Sequence, residues 1–291
     1  MKPLKETPLS TFVYTRNIMD EPISKYRVST ITCNASIGTI VNLNAFFTHV
    51  NVTQDTGFVW VEYGKNTRGT YPKTRKDLGS NKKCFDNQAT VIYKMESKGL
   101  PIYFPNIKLF RNGSVQMTGI RTREDGARAA DLLAAEVERM RQCNTGVVES
   151  TNPIVSTNFT IRMINCDFGV EYNVRRKKLH QLLISSAYNN ACSFQPVDYP
   201  GVILKYYWNT DTVCARDGRC LCDTQCFGKG TGTGNGQCKK ITVSTFDSGK
   251  ILITGANSFQ QVNSAYKYII GVISDNESAL RKPIAIADDG N

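Results

Sequence analysis

The sequence predicts an α+β fold with approximate two-fold symmetry, in which two repeats share one antiparallel sheet. The segments Ile107–Gly119 (IKLFRNGSVQMTG) and Val243–Gly255 (VSTFDSGKILITG) follow the same pattern, and Phe110 matches Phe246 at an offset of 136 residues (246 − 110). Each copy runs into a stretch with the 3.6-residue period of a helix. We therefore expect two strand–strand–helix units, with helices covering one face of the sheet and the other face left free.

The two matching segments are predicted to be β-hairpins. Apolar and polar residues alternate along both, and Asn112-Gly113 and Ser248-Gly249 interrupt the runs where tight turns are expected. Because side chains on a strand alternate between faces, each hairpin has one apolar face and one mixed face. The apolar set is Val115, Met117, Ile251 and Ile253, and the mixed set is Phe110, Asn112, Ser114, Gln116, Thr118, Phe246, Ser248, Lys250, Leu252 and Thr254.

A helix is predicted after each hairpin. Thr122 and Asp125 resemble a capping box with Asp at the third helical position, and Ser258 can cap the second helix. Apolar residues then follow the helical period, at Ala127, Ala130, Ala134, Val137 and Met140 in the first helix and Val262, Ala265, Tyr266, Ile269 and Ile273 in the second.

Upstream strands complete each repeat. Val91–Lys94 (VIYK) is matched with Val202–Lys205 (VILK), and Val28–Asn34 (VSTITCN) with Ile161–Asp167 (IRMINCD). The predicted organisation is a flexible tail at 1–21, a first repeat at 22–145, a second repeat at 157–280 and a short tail at 281–291. A basic, turn-rich insertion (64–83) interrupts the first repeat, and a cysteine- and glycine-rich insertion (210–240) interrupts the second.

Composition favours a polyanionic partner. The chain has 291 residues, with 36 basic and 25 acidic residues, for a net charge of +11, and such an excess promotes phosphate binding through counterion release. No segment is apolar and long enough to span a bilayer, and no secretory signal is apparent. We therefore expect an intracellular, reducing location. His49 and His180 have no nucleophile or metal ligand at motif spacing.

The mixed face is a poor candidate for a core, because its polar groups would be buried without partners. Large aromatic residues beside small hydroxyl residues and lysines suit the minor groove of DNA instead. There, apolar wedges unstack base steps and hydroxyls meet the acceptors of A·T pairs.

The chain resembles the TATA-box-binding protein family, and most of all the divergent members of large DNA viruses. The resemblance rests on LFRNGSVQMTG, TFDSGKILITG, DYPGVILKYY (198–207) and VEYNVRRKKL (170–179), and it covers both repeats but neither the insertions nor the tails. It implies a saddle whose concave sheet face bends DNA at A·T-rich promoters, with no catalysis and no required cofactor. It further implies a monomer on DNA, a B-type initiation factor and RNA polymerase as partners, and, for a viral protein, a location in the host cytoplasm (viral factory) or nucleus.

The resemblance also implies roles for individual residues. Phe110, Phe246 and Tyr199 match three of the family's four wedge positions, whereas the fourth falls on Gln88, for which the nearby Phe85 can substitute if the loop bulges. The other expected DNA contacts are hydroxyls of Thr118 and Thr254, apolar groups of Val28 and Leu252, and ammonium groups of Lys94, Lys205 and Lys250.

Two features depart from the family pattern. The central asparagine pair is replaced by Tyr26 and by either Phe159 or Met163, depending on gap placement. The acidic residues that family members offer to the initiation factor are reduced to Asp198. These departures leave open a scaffold protein that keeps the fold without specific DNA binding. A DNA glycosylase is a weaker alternative, because no residues remain for a catalytic module.

The two insertions carry their own hypotheses. Cys220, Cys222, Cys226 and Cys238, with Cys214 nearby, can supply four thiolates for a structural zinc ion. The spacing lacks two CxxC pairs, so free cysteines in a loop are the alternative. The basic insertion 64–83 is either a phosphate- or factor-binding element or a solvated loop.

Overall fold

The computed structural model describes residues 25–54, 56–72, 85–209, 218–220, 222, 226, 228–232, 234 and 236–283. The predicted N-terminal tail, residues 73–83 of the basic insertion, Cys214 and most of the predicted C-terminal tail lie outside the described residues.

One open, curved antiparallel sheet forms the frame of the described chain. Its strands lie in the order β3-β2-β4-β5-β6-β1-β7-β11-β10-β9-β8. They are β1 (Arg27–Ser36), β2 (Gly57–Tyr63), β3 (Asn66–Gly69), β4 (Gln88–Lys94), β5 (Asn106–Phe110), β6 (Ser114–Ile120), β7 (Thr157–Gly169), β8 (Ala191–Ser193), β9 (Val202–Trp208), β10 (Lys239–Thr245) and β11 (Lys250–Ala256).

The helices bury one face of this sheet and confirm the predicted α+β saddle. They are α1 (Leu43–His49), α2 (Arg123–Gln142), α3 (Arg176–Ile184), α4 (Phe259–Asp275) and the short α5 (Glu277–Leu280). Phe46 of α1, Leu133 of α2, Leu179 of α3 and Ile269 of α4 belong to one apolar cluster with alternate residues of the strands. The residues between those alternate positions face away from the helices.

The two-fold relation is visible in the strand register. The central strands β1 and β7 pair with each other, and each also pairs with the second strand of its own repeat's hairpin. Cys33 lies opposite Met117, and Cys166 lies opposite Ile253, the residue that matches Met117. Cys33 and Cys166 are therefore equivalent, as the sequence predicted.

The predicted match between Val91 and Val202 is wrong by two residues. Val91 lies opposite Ile107, whereas Leu204 lies opposite Val243, the residue that matches Ile107. Val91 is therefore equivalent to Leu204. The insertion precedes β4 in the first repeat but follows β9 in the second, so the connections differ in length. A shift of two residues keeps every side chain on its original face, and alternation alone therefore could not detect it.

The predicted helix caps form at both helices. The Thr122 side chain accepts a hydrogen bond from the Asp125 N–H at 3.1 Å, and the Ser258 side chain accepts one from the Gln261 N–H at 3.3 Å. The Asp125 carboxylate accepts from the Tyr103 hydroxyl at 2.6 Å, so it serves the core as well as the helix start.

Near the start of each central strand, an aromatic residue reaches the other repeat. The Tyr26 hydroxyl donates to Asn263 Oδ1 at 2.6 Å, and its ring lies 5.2 Å from the Tyr266 ring on α4. The equivalent Phe159 packs against the backbone of Gly126 on α2. These crossed contacts hold the repeats together on the helix side, so neither aromatic occupies the free face where the resemblance placed a central pair.

Two helical glycines provide a matched test of this packing. A Cβ at Gly126 would lie 3.0 Å from both Cys33 Sγ and the Phe159 ring, whereas a Cβ at Gly271 on α4 meets nothing within 4 Å. We expect Gly271→Ala to raise the free energy of unfolding by about 1 kcal/mol through helix propensity. Gly126→Ala should lower it, because overpacking costs about 1–3 kcal/mol.

Denaturant unfolding of the two variants beside the parent measures both changes. Stabilisation by Gly126→Ala would show that the crossed contacts are loose.

Candidate nucleic-acid interface

The sheet face that points away from the helices is the open face. It is defined by Thr30, Thr32, Asn34, Thr90, Ile92, Lys94, Asn106, Lys108, Phe110, Ser114, Gln116, Thr118, Met163, Asn165, Asp167, Ile203, Lys205, Tyr207, Thr242, Ser244, Phe246, Lys250, Leu252 and Thr254. Phe110 and Phe246 are half-buried, whereas Met117 and Ile253 are fully buried on the helix side. The predicted mixed and apolar faces of the hairpins are confirmed.

Polar side chains form a row across the open face. In the first repeat, Asn106 lies opposite Thr118, and the Gly119 N–H beside it donates to Thr30 Oγ1 at 3.0 Å. Thr30 in turn lies opposite Asn165 on β7. In the second repeat the row consists of Thr254, Thr242 and Lys205, which are paired in that order.

An aromatic pair lies at the outer corner of the second repeat. The Tyr199 and Phe246 rings meet edge to face, with centroids 5.7 Å apart. Gly201 lies beneath them, and a Cβ there would come within 2.7 Å of the Tyr199 ring. Glycine at this position therefore leaves room for both rings on the same face.

Among the described residues, the first repeat has no such pair. Phe110 lies opposite Gln88, as Phe246 lies over Gly201, so Gln88 is the counterpart of Gly201 and not of Tyr199. The register places the counterpart of Tyr199 at Asp86, next to Phe85, whose side chain is 58 % exposed. A cavity of about 430 Å³ lies beside Phe110 and is bordered by Asn87. The match of a wedge to Gln88 is thereby corrected.

Another expected contact lies on the wrong face. Val28 lies opposite Cys166 and packs against the helix-side core, because the register between β1 and β7 shifts between Val28 and Thr30. Thr30 and the residues after it return to the open face. Of the two alternatives for the central position in β7, Met163 lies opposite Thr32 on the open face.

The predicted phosphate-binding lysines differ in environment. Lys250 is exposed at the start of β11, and Lys94 is half-buried at the end of β4. Lys205 donates to Thr242 Oγ1 at 3.1 Å, and its pKa is lowered by burial and by the neighbouring Lys240. A partly buried ammonium beside a second cation gains from an approaching anion.

Comparisons with known proteins agree with this geometry. The family "Transcription factor TFIID (or TATA-binding protein, TBP)" matches residues 158–276. A "TATA-box-binding protein-like" protein of Acanthamoeba polyphaga mimivirus is 30 % identical over 267 residues, covering 85 % of this chain and 65 % of the relative. The second repeat, within residues 158–276, thus matches the TATA-binding protein family, and most of the chain is similar to a TATA-box-binding protein-like protein. The chain spans slightly less than two thirds of that relative's length.

The chain is also similar to a solved structure. The TBP of Methanococcus jannaschii is 15 % identical, with a TM-score of 0.47, and the match covers 87 % of this chain and 99 % of that one. Separately, no helix among the described residues is long and apolar enough to cross a membrane.

The first part of the basic insertion covers the outer end of the sheet in the first repeat. We call Tyr71 and Pro72 the lid. β3 extends the sheet edge, and the Tyr71 ring then meets Trp60 edge to face at 5.0 Å. Tyr71, Ile92 and Phe104 line a cavity of about 140 Å³, which also borders Thr118. The sequence patterns did not predict this cluster. The available signal was a pair of aromatic residues, Trp60 in β2 and Tyr71 after β3.

The second insertion gathers the four predicted cysteines. The Sγ atoms of Cys220, Cys222, Cys226 and Cys238 all lie within 4.8 Å of one another, and Cys238 is 3.2–3.3 Å from the other three. The cluster packs against Tyr207, whose hydroxyl donates to the Gly228 carbonyl at 2.8 Å. It therefore adjoins the outer end of the open face.

The backbone favours the thiolate of Cys226, whereas burial disfavours the thiolate of Cys238. The Gly230 N–H donates to Cys226 Sγ at 3.2 Å, and this hydrogen bond is the main cause that lowers the pKa of Cys226 to about 7. Burial raises the pKa of Cys238. Four thiolates around zinc, with bonds of about 2.3 Å, stand about 3.8 Å apart in a tetrahedron, close to the separations here. The four residues fit the ion.

Three acceptors near the two-fold axis were also missed. Asn34 and Asp167 are equivalent residues, since they lie opposite Gln116 and Leu252 respectively. Asp167 accepts two hydrogen bonds from Arg27, both at 3.1 Å, and Asn165 lies beside it in sequence. Extending the period-two alternation into the central strands could have found all three.

Proposed function

We propose that this protein binds the minor groove of double-stranded DNA at A·T-rich promoter elements, bends the DNA and nucleates transcription initiation. The observation that carries the proposal is the Tyr199–Phe246 pair, which stands on the same uncovered face as the polar row. The similarity of the chain to TATA-binding proteins supports the same role.

The chemistry of the open face supports each step. Aromatic wedges unstack a base step and kink the duplex, as the apolar side chains of other minor-groove binders do. Hydroxyls of Thr118 and Thr254 donate to the acceptors of A·T pairs. Leu252 supplies apolar contact, and Lys94, Lys205 and Lys250 contact phosphates. At the other end of the site, Phe85 folds beside Phe110 and fills the adjoining cavity.

The partners follow the same proposal. The protein acts as a monomer on DNA, without catalysing a reaction, and recruits a B-type initiation factor and RNA polymerase. Asp198, exposed beside Tyr199, is the acidic contact available at that corner.

A scaffold role is the second candidate. Tyr71 and Pro72 line the cavity that borders Thr118, so part of the open face in the first repeat is covered. A protein that recruits transcription factors without reading DNA would tolerate this cover. Anisotropy titrations against A·T-rich and G·C-rich duplexes separate the two candidates, because a scaffold shows no preference.

The cysteine cluster is proposed to hold one structural zinc ion through Cys220, Cys222, Cys226 and Cys238. The ion would tie the insertion to the end of β9 and β10, where few apolar residues are available to order it. It supplies no chemistry to DNA binding.

Replacing a wedge tests the binding mode. Phe246→Ala should weaken specific binding about tenfold or more and reduce DNA bending, because base–aromatic stacking contributes about 1–3 kcal/mol. Anisotropy gives the affinity, and energy transfer between end-labelled DNA strands gives the bend. Phe259→Ala, an exposed aromatic at the start of α4 on the helix side, is the control. Unfolding of Phe246→Ala with unchanged residual affinity would make Phe246 a core residue instead.

Salt dependence tests the lysines. Lys250→Ala should flatten the slope of log affinity against log salt by about one, because one fewer counterion is released. Phe246→Ala should lower affinity in parallel at all salt concentrations. Lys267→Ala, exposed on α4, should leave the slope unchanged. An unaltered slope for Lys250→Ala would place Lys250 away from DNA and favour the scaffold.

Metal analysis tests the cysteines. Protein purified under reducing conditions without chelator should carry about one zinc per chain, since four thiolates close one tetrahedral shell. Cys222→Ser should lose the metal, whereas Cys143→Ser, an exposed free cysteine on the end of α2, should retain it. Zinc-free parent protein would eliminate the site.

A further inference from the structure

A small apolar cluster lies on the open face of the first repeat, apart from the helix-side core. Val59, Trp60 and Ile92 are buried in it, and the Tyr71 and Phe104 rings pack against them. Trp60 lies opposite Ile92 across β2 and β4, so both side chains point to the open face. The Tyr71 ring meets Trp60 edge to face at 5.0 Å. The cluster is therefore covered by the lid and not by a helix.

The equivalent place in the second repeat has a different character. Lys205 is the counterpart of Ile92, and it lies opposite Ala191, which is thereby the counterpart of Trp60. Ala191 is exposed, and the Lys205 ammonium donates to Thr242. One repeat thus has a polar surface at this part of its open face, whereas the other has apolar side chains there and covers them.

The covered area belongs to the proposed DNA site. The lid forms one wall of the cavity of about 140 Å³, whose other walls include Asn106 and Thr118. Thr118 is the counterpart of Thr254, and both hydroxyls are proposed to reach the bases. A duplex seated on the sheet at Thr118 occupies the space above that residue, where Tyr71 lies. The lid and DNA therefore exclude each other over the first repeat.

The contact between the lid and the sheet is loosely packed. Protein interiors contain few gaps larger than a water molecule. The gap between the lid and Thr118, in contrast, has room for several water molecules, and part of its wall is polar. A lid that rests on the sheet through an aromatic contact, over such a gap, separates from it more readily than an element of the core does.

The base of the lid is anchored at the sheet edge. β3 pairs with β2, and the Arg68 guanidinium donates to the carbonyl groups of Thr48 at 2.9 Å and Val50 at 3.3 Å, at the end of α1. Gly69 then has a φ of +86°, which glycine adopts without strain and which turns the chain away from the edge. The lid can therefore leave the open face while β3 stays paired.

We infer that the lid is autoinhibitory. In the free protein it occupies the DNA site of the first repeat, and it must leave the open face before DNA binds there. In the complex, DNA replaces Tyr71 as the cover of Trp60 and Ile92. This inference rests on the proposed minor-groove binding, and it adds a conformational step that the second repeat does not need.

Binding kinetics of Tyr71→Ala test the inference. Stopped-flow anisotropy with a labelled A·T-rich duplex gives both rate constants. The variant should associate about three- to tenfold faster than the parent, because the parent binds only through molecules with an open lid and a ring pair of this kind shifts such an equilibrium by about that factor. The dissociation rate should stay the same, since the lid has already left the site in the complex. Loss of a side chain that contacts DNA would instead raise the dissociation rate.

Matched variants separate the lid contact from other effects. Tyr71→Phe keeps a ring against Trp60 and should associate like the parent. Phe259→Ala removes an exposed aromatic side chain at the start of α4, on the helix side, and should leave both rate constants unchanged. Thermal unfolding checks that each variant is folded. If Tyr71→Ala is not, Tyr71→Leu retains apolar cover without the ring pair and should show a smaller gain in the association rate.

The outcomes distinguish this inference from the proposed function. An unchanged or slower association rate, or a faster dissociation rate, in Tyr71→Ala overturns the inference while minor-groove binding stands. Binding by Tyr71→Ala alone, with no binding by the parent, supports both, because the lid then blocks the site completely. Failure of the parent and of Tyr71→Ala to bind any duplex overturns the proposed function, and the inference with it, in favour of the scaffold.

Discussion

The pairing of β1 with β7 is the interaction on which the rest of the structure depends. Two equivalent strands that pair antiparallel generate the two-fold relation, because each is placed identically relative to its partner. The pairing makes two repeats into one sheet and sets the hairpin tips at opposite ends. It also lets Tyr26 and Phe159 each reach the helix of the other repeat. The open face runs without a break from one repeat to the other because β1 and β7 are hydrogen-bonded to each other.

Burial of one face by α1 to α4 then fixes the character of the other. Alternation forces every second strand residue away from the helices, and those residues must be compatible with either water or a ligand. Hydroxyls, amides and lysines satisfy this condition, whereas Phe110 and Phe246 gain little from water. Two large aromatic side chains on a face that carries many polar residues are the feature that a wedge role explains and a bare surface does not.

Sequence patterns predicted the elements that depend on neighbouring residues. They did not predict strand register or contacts between segments that are distant in sequence. The hairpins, the caps at Thr122 and Ser258 and the cysteine cluster depend on residues close in sequence. The two-residue error at Val91 and the wrong face for Val28 arose from connection length and from a register shift, which alternation does not reveal. The Tyr71 lid was missed because Tyr71 meets two different strands, at Trp60 and at Ile92, and alternation within one segment does not reveal such contacts.

The same comparison of registers shows where the symmetry ends. Ile92 is the counterpart of Lys205, because they lie opposite the equivalent residues Asn106 and Thr242. Two residues further along the same strands, Lys94 is the counterpart of Tyr207. An aromatic lid covers one outer end, and a cysteine cluster adjoins the other. A fully two-fold surface would bind any DNA element equally in both orientations. Each 1.4 kcal/mol of difference between the ends would favour one orientation about tenfold, so the insertions that break the symmetry are also the elements able to give the proposed complex a direction.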